Sequence, residues 1–139
     1  MSAETTREMM MAYGEALLAR GRYDEYLSED VVVSLMAYSR EVAGRKAARQ
    51  FIDYFHDQAF EADIELKSVV CSEDKAHIEA VFVARHTGEF EGIPATGRQV
   101  SVPYSVGYDV SGGKITALRI YFPIDVLVRQ IQAEGATAQ

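Results

Sequence analysis

The chain is poor in the residues that would cross-link it, carry it through a membrane or bind it to an acidic polymer. A single cysteine, Cys71, in 139 residues excludes an internal disulfide and fits a reducing cytoplasm. Its expected place is that of a small buried hydrophobe on a strand. Apolar runs are only a few residues long, as in Val31-Val32-Val33, so no segment can form a transmembrane helix. The opening MSAETTREMMMAYG is acidic before it is apolar and lacks a basic leader, which argues against a signal peptide. Positive charge is scarce: 14 Lys and Arg stand against 21 Asp and Glu, for a net charge of −7. The cations are scattered and usually neighboured by acids, as in Arg22-Tyr23-Asp24-Glu25. Such a surface repels phosphate backbones, so no nucleic-acid partner is expected. Histidine is rarer still. His56, His77 and His86 lie far apart without metal-ligand spacing, and no metal site is expected.

What remains is an ordinary globular composition, 48% hydrophobic and 25% charged, in a length that makes one domain, residues 1–139. Met9/Met10, Tyr13 and Ala16/Leu17 recur at helical spacing and predict a helix over 3–20, stopped by Gly21. A short helix over 24–28 leads into a strand, VVVSLMAY, over 31–38. Gly44 opens a third helix, 44–58, with Ala48, Phe51/Ile52 and Phe55 as its apolar stripe. Strands follow over 64–72, 76–90, 100–110 and 114–122, the last two joined by the turn Ser111-Gly112-Gly113. An amphipathic helix over 124–131 ends the pattern. Four successive strands with short turns form an antiparallel meander. Helices covering one face of a strongly twisted sheet predict an α+β architecture, a cone-shaped curved antiparallel sheet wrapped around the N-terminal helices, with a cavity inside.

The segment HTGEFEGIPATGRQV, the turn SGGKI and then YFPIDVLVRQI resemble, in that order, the SnoaL-like polyketide cyclase family, whose members read H-T-G-E-F, G-I-P-P-T-G-R-R-V, D-G-K-I and Y-F-D. The opening AYGEALLARGRYDEYLSEDV is similar to the family's first helices as well. The resemblance implies the cone-shaped α+β barrel of the nuclear-transport-factor-2-like or ketosteroid-isomerase-like superfamily. That fold hosts isomerases, cyclases, dehydratases, epoxide hydrolases and non-catalytic binders. The family's proton-transferring acids, in a motif like H-W-D-Y-F-D, fall on Ile120 and Pro123, neither of which can move a proton. The isomerases' base falls near Leu35 and their second oxyanion acid near Ser105, while their helix-one tyrosine is matched by Tyr13.

The candidates follow from both readings. Tyr13, on the stripe of helix one, could donate to a ligand carbonyl. His86 shares a strand face with Phe82 and Ala84 and could serve as acid or base near neutrality; its alternative is a structural hydrogen bond in the hairpin. Ser105 and Gly107 are read as a small-residue face that leaves room for a ligand and lets the serine orient it, against a simple bend in a curved strand. Leu35, Phe55, Phe82, Leu118, Ile120 and Phe122, with the helix-one methionines, would form the apolar wall. Asp53 and His56 are read as a solvent-exposed pair, and Asp109 as a turn residue. Arg119 faces away, toward an ion pair or an interface. If Ser105 faces the cavity, the Val and Tyr side chains of 100–110 lie outside and need covering, which with the resemblance predicts a homodimer. Phe90 and Ile93 would fold over the cone's mouth or into a partner.

Two functions are expected. One is a cofactor-free cyclase or isomerase acting on an apolar, oxygenated, polyketide- or steroid-like small molecule in the cytoplasm. The other is a non-catalytic binding or assembly domain that kept the cone and lost its acids.

Overall fold

The first helix begins where Ser2 and Thr5 cap each other. Thr5 N donates to Ser2 Oγ and Ser2 N donates to Thr5 Oγ1, satisfying two otherwise unpaired amides. In this computed structural model, which describes residues 2–132, helix α1 covers Ala3–Leu18. It ends two residues short of the expected 3–20. Arg20, not Gly21, takes the left-handed conformation (φ 58°), with Gly21 N donating to Ala16 O and Arg20 N to Leu17 O. Thr6, Met10 and Tyr13 form its buried stripe.

A 3-10 turn, Tyr23–Tyr26, replaces the expected second helix and leads into β1, Leu27–Leu35. That strand starts earlier and stops sooner than the Val-rich run suggests, because Met36–Tyr38 turn as a second 3-10 piece and Ser39 is left-handed. A strand the sequence pattern missed, β2 (Arg40–Ala43), hairpins back onto β1. It is a four-residue edge strand with one half-buried side chain, so it carries no alternation to detect. Helix α2, Arg45–Asp53, follows, and the predicted single helix over 44–58 breaks here into a π-turn, Tyr54–Gln58, marked by Ala59 N donating to Tyr54 O.

The meander follows as β3 (Phe60–Cys71), β4 (Lys75–His86), β5 (Gln99–Ser111) and β6 (Lys114–Tyr121), each antiparallel to the next, before helix α3 (Ile124–Gln132). Gly112 and Gly113, both at positive φ, make the two-residue turn between β5 and β6. The sheet as a whole is not antiparallel. Its order is β2-β1-β6-β5-β4-β3, and β1 lies parallel to β6, which makes a curved, unclosed, mixed sheet. The long α2–β5 segment between β1 and β6 permits that pairing, since a parallel neighbour needs a crossover and not a tight turn.

Two apolar cores result. One gathers Met10, Tyr13, Val31, Val33, Val106, Tyr108, Ile115 and Leu118 under α1 and α2. The other gathers Phe55, Phe60, Phe82, Phe90, Phe122 and Leu127 under the π-turn and α3. The faces of β5 are therefore the reverse of the sequence expectation. Val102, Val106, Tyr108 and Val110 point into the cores, and the Ser101–Pro103–Ser105 row points out. Swapping these faces would expose the Val and Tyr row and strand polar groups inside, and the side-chain period of two allows no intermediate.

Candidate active site

A cavity of about 70 Å³ lies between the two cores. Tyr13 and Leu17 of α1 form one wall, and Phe51, Ile52, Phe55 and His56 of α2 and its π-turn another. The sheet contributes Leu35, Phe82, Tyr104, Val106, Tyr108, Leu118 and Ile120, and Phe122 follows β6. No carboxylate lines it. Among the described residues, no three His, Cys, Asp or Glu side chains converge as a metal site.

Its polar groups are three tyrosine hydroxyls and one imidazole. Tyr13 is 4% exposed and Tyr108 5%, and their rings meet edge to face at 6.1 Å. The hydroxyls of Tyr13, Tyr104 and Tyr108 make no hydrogen bond to any described residue, yet they are not sealed from open space. Hydroxyls set among apolar side chains, without a protein partner and still open to space, are free to bond a ligand oxygen or water. Burial pushes all three hydroxyls well above the ordinary tyrosine range. They stay protonated at any physiological pH and can act only as donors or neutral acceptors.

His56 completes the set. Its Nδ1 lies 2.9 Å from Ile52 O four residues back, and since a carbonyl can only accept, Nδ1 carries the proton. Neutral Nε2 then holds a free lone pair, without a protein partner and not sealed off. Burial lowers the imidazole's pKa, aided by Arg20 and opposed by the Ile52 carbonyl and Asp53, so the ring is neutral near pH 7. The π-turn sets this geometry, the kind of helix irregularity that recurs at functional sites. Asp53 does not pair with His56. It accepts from Tyr23 Oη at 2.6 Å and from Arg49 Nε at 3.2 Å.

Of the residues singled out from sequence, Tyr13, Leu35, Phe55, Phe82, Leu118, Ile120 and Phe122 come together around this cavity. His86 and Ser105 do not. Ser105 lies on the other face of β5, opposite Glu79 and Tyr121. Nearby, Gly107 leaves room for the Arg119 guanidinium, which grips Asp109 through two 3.0 Å bonds while Lys75 adds a third at 2.7 Å. Asp109 is thus a paired residue of β5 and an ion-pair hub, not the turn residue expected, and its carboxyl is held below the usual range by those cations.

His86 is fully buried and holds the β4–β5 connection in shape. Thr96 N donates to its Nδ1 at 3.1 Å, so the ring is neutral with its proton on Nε2, which has no well-formed bond. Its backbone bonds Arg98 and Gly97 across the same loop. Phe90 and Ile93, which bridge each other around left-handed Glu91 and Gly92, cap the second core, Phe90 packing on Phe55 and Phe60. The helix-one methionines are absent from this cavity. Met10 and Met11 line a second one, considered below.

The residues missed are His56, Tyr104 and Tyr108. His56 follows Ile52 by four, on the very stripe that marked α2 as amphipathic, so helical spacing could have placed it inside. The two tyrosines belong to the alternating Val/Tyr row of β5. Reading small residues as the ligand side sent that row outward.

The architecture and this cavity define a cone-type α+β domain, and the profile of the SnoaL-like polyketide cyclase family matches residues 10–131. The chain belongs to that family. A Jannaschia sp. CCS1 protein described as a SnoaL-like polyketide cyclase superposes with a TM-score of 0.85 at 16% identity, over 94% of each chain. A Xanthomonas campestris protein described as a polyketide cyclase gives 0.78 at 22% identity, over 93% of this chain and 98% of that one. AclR of Streptomyces galilaeus, described as a hydroxylase, gives 0.80 at 20%, over 96% and 83%. At these identities the likeness is one of fold. No curated protein sequence matches the chain significantly.

Proposed function

We propose that this protein is a cofactor-independent enzyme of the cyclase or isomerase type, acting on an apolar, oxygenated, polyketide- or steroid-like ring compound. One observation carries the reading: an otherwise apolar cavity holds three partnerless tyrosine donors and one half-engaged neutral imidazole. A ligand carbonyl takes hydrogen bonds from Tyr13, Tyr104 or Tyr108. His56 Nε2 accepts a proton from the adjacent carbon, and the electron pair moves to the oxygen, where the tyrosines stabilise the developing charge. Returning the proton to another carbon isomerises the substrate; attack of the carbanion on a second carbonyl closes a ring, and the alkoxide formed there takes the proton back from His56. His56 here takes the task that relatives give to the acid replaced by Ile120. Family resemblance also supports a homodimer, and lone Cys71 a cytoplasmic setting.

The test is loss of deuterium from the α-carbons of deuterated 2-tetralone, followed by NMR. Catalysed exchange that falls at least about a hundredfold in Tyr13→Phe, the scale of one oxyanion donor, and is abolished in His56→Gln supports the reading. Binding without catalysed exchange favours the second reading, a non-catalytic small-molecule-binding domain, to which the replacement of both family acids by Ile120 and Pro123 already points.

A further inference from the structure

The cone cavity alone is small. At about 70 Å³ it falls below the ~150 Å³ at which an apolar protein cavity accepts a benzene ring. A second cavity of about 190 Å³ lies on the far side of the same tyrosines, between α1 and strands β3 and β4. The two share Tyr13, Leu17, Tyr104 and Tyr108, so these four side chains border both chambers where they meet. Apart from exposed Glu15 and the shared tyrosines, the second chamber is apolar: Met10, Met11 and Leu18 from α1 face Ile64, Leu66 and Val69 of β3, with Ile78 of β4. Its rim carries Met11, Leu18 and Leu66, each more than two-fifths exposed, an apolar mouth of the kind that borders ligand-binding grooves. Gly14 lies in its wall on α1, and a Cβ there would meet nothing within 4 Å.

We infer that this α1/β3 chamber is the seat of the ligand's apolar body, and that the cone cavity receives only its reacting, oxygenated end. The occupant is a small hydrophobic ring or chain bearing a carbonyl at one terminus, entering between Met11, Leu18 and Leu66. Two observations converge on it. An apolar void large enough for a ring adjoins the cone cavity at Tyr13 and Tyr108, residues more than nine-tenths buried whose hydroxyls have no protein partner. Apolar contact in the chamber then supplies affinity, and the tyrosines fix which end of the molecule reaches His56. The placement of the carbonyl rests on the function proposed above; the occupancy of the chamber does not.

The experiment uses the full chain carrying methyl-13C methionine, titrated separately with butylbenzene, which has no oxygen, and with 2-tetralone. The ring currents of both should shift the Met10 and Met11 methyl signals and leave Met36 unmoved. Gly14→Leu, which projects a side chain into the open chamber and favours the helix, should abolish both responses; Leu66→Trp, from the opposite wall, should do the same. Folding of each variant is checked by its thermal transition. Butylbenzene that fails to shift Met10 and Met11, or shifts them equally in folded Gly14→Leu and Leu66→Trp, overturns the chamber assignment. If butylbenzene binds as expected but 2-tetralone shows no tighter binding through Tyr13, the chamber stands and the carbonyl chemistry proposed above fails.

Discussion

Replacing Tyr13 by Phe should make the unliganded protein more stable, and replacing its neighbour Tyr23 by Phe should do the opposite. The two rings touch edge to face at 6.2 Å and both are almost fully buried, so they differ chiefly in what their hydroxyls do. Tyr23 Oη donates to Asp53 Oδ1 at 2.6 Å, with Arg49 O at 3.3 Å. Losing a bond to a charged acceptor costs about 1.5–3 kcal/mol. The Tyr13 hydroxyl has no protein partner, and burying a hydroxyl uncompensated costs about 1–3 kcal/mol by mutational measure. Residual access to the cavity reduces that penalty, so Tyr13→Phe should gain about 1 kcal/mol, or roughly 3 °C in Tm for a chain of this size. Urea denaturation of the two variants beside the wild type, read by linear extrapolation, gives both values. The reasoning is refuted if Tyr13→Phe loses 1 kcal/mol or more, since its hydroxyl would then be satisfied in the free protein and would not be held ready for a ligand. Stability given up at a binding residue is the usual sign that function shaped it.

The other expected outcomes concern the frame around the site. Gly88→Ala places a Cβ 2.3 Å from the Gln58 backbone oxygen, where the β4–β5 connection crosses the π-turn; a loss of about 1–3 kcal/mol in urea denaturation should follow, and an unchanged midpoint would contradict the packing. Burial depresses the pKa of both His56 and His86 in the folded state. The unfolded chain therefore takes up protons first as pH falls below about 6.5, and stability should decline from there by up to about 1.4 kcal/mol per pH unit for each imidazole, levelling once the folded groups titrate. Urea titrations from pH 7.5 to 5 should show a shallower slope in His56→Gln; an identical slope would mean that the ring is not buried neutral.

The sequence made the meander legible because four strands in a row, with Ser111-Gly112-Gly113 between the last two, leave little choice of pairing. The parallel contact of β1 with β6 was not legible. It joins segments about eighty residues apart, and neither strand's pattern names its partner. Nor was β2, whose four residues bury almost nothing. Within the site, the apolar lining from Phe55 to Phe122 followed from periodicity, because burying a stripe is what creates one, while Leu35 came from the family resemblance alone. The polar groups were harder. His86 and His56 are both histidines beside phenylalanines, and only the loop bonds of one and the free Nε2 of the other separate a structural role from a chemical one. Ser105 was misplaced by an argument about room, when the Val/Tyr row beside it had the greater need to leave water.

The central claim is that partnerless tyrosine hydroxyls inside the cone are held ready for a ligand oxygen, and the carbonyl carbon of bound 2-tetralone, 13C-labelled and observed by NMR, reports on it most directly. The account predicts a downfield shift on binding to the wild type that shrinks in Tyr13→Phe, as expected when hydrogen bonds polarise the carbonyl. A ketone that binds with its carbonyl signal where it stands in an apolar solvent, or with the same shift in both proteins, would contradict it.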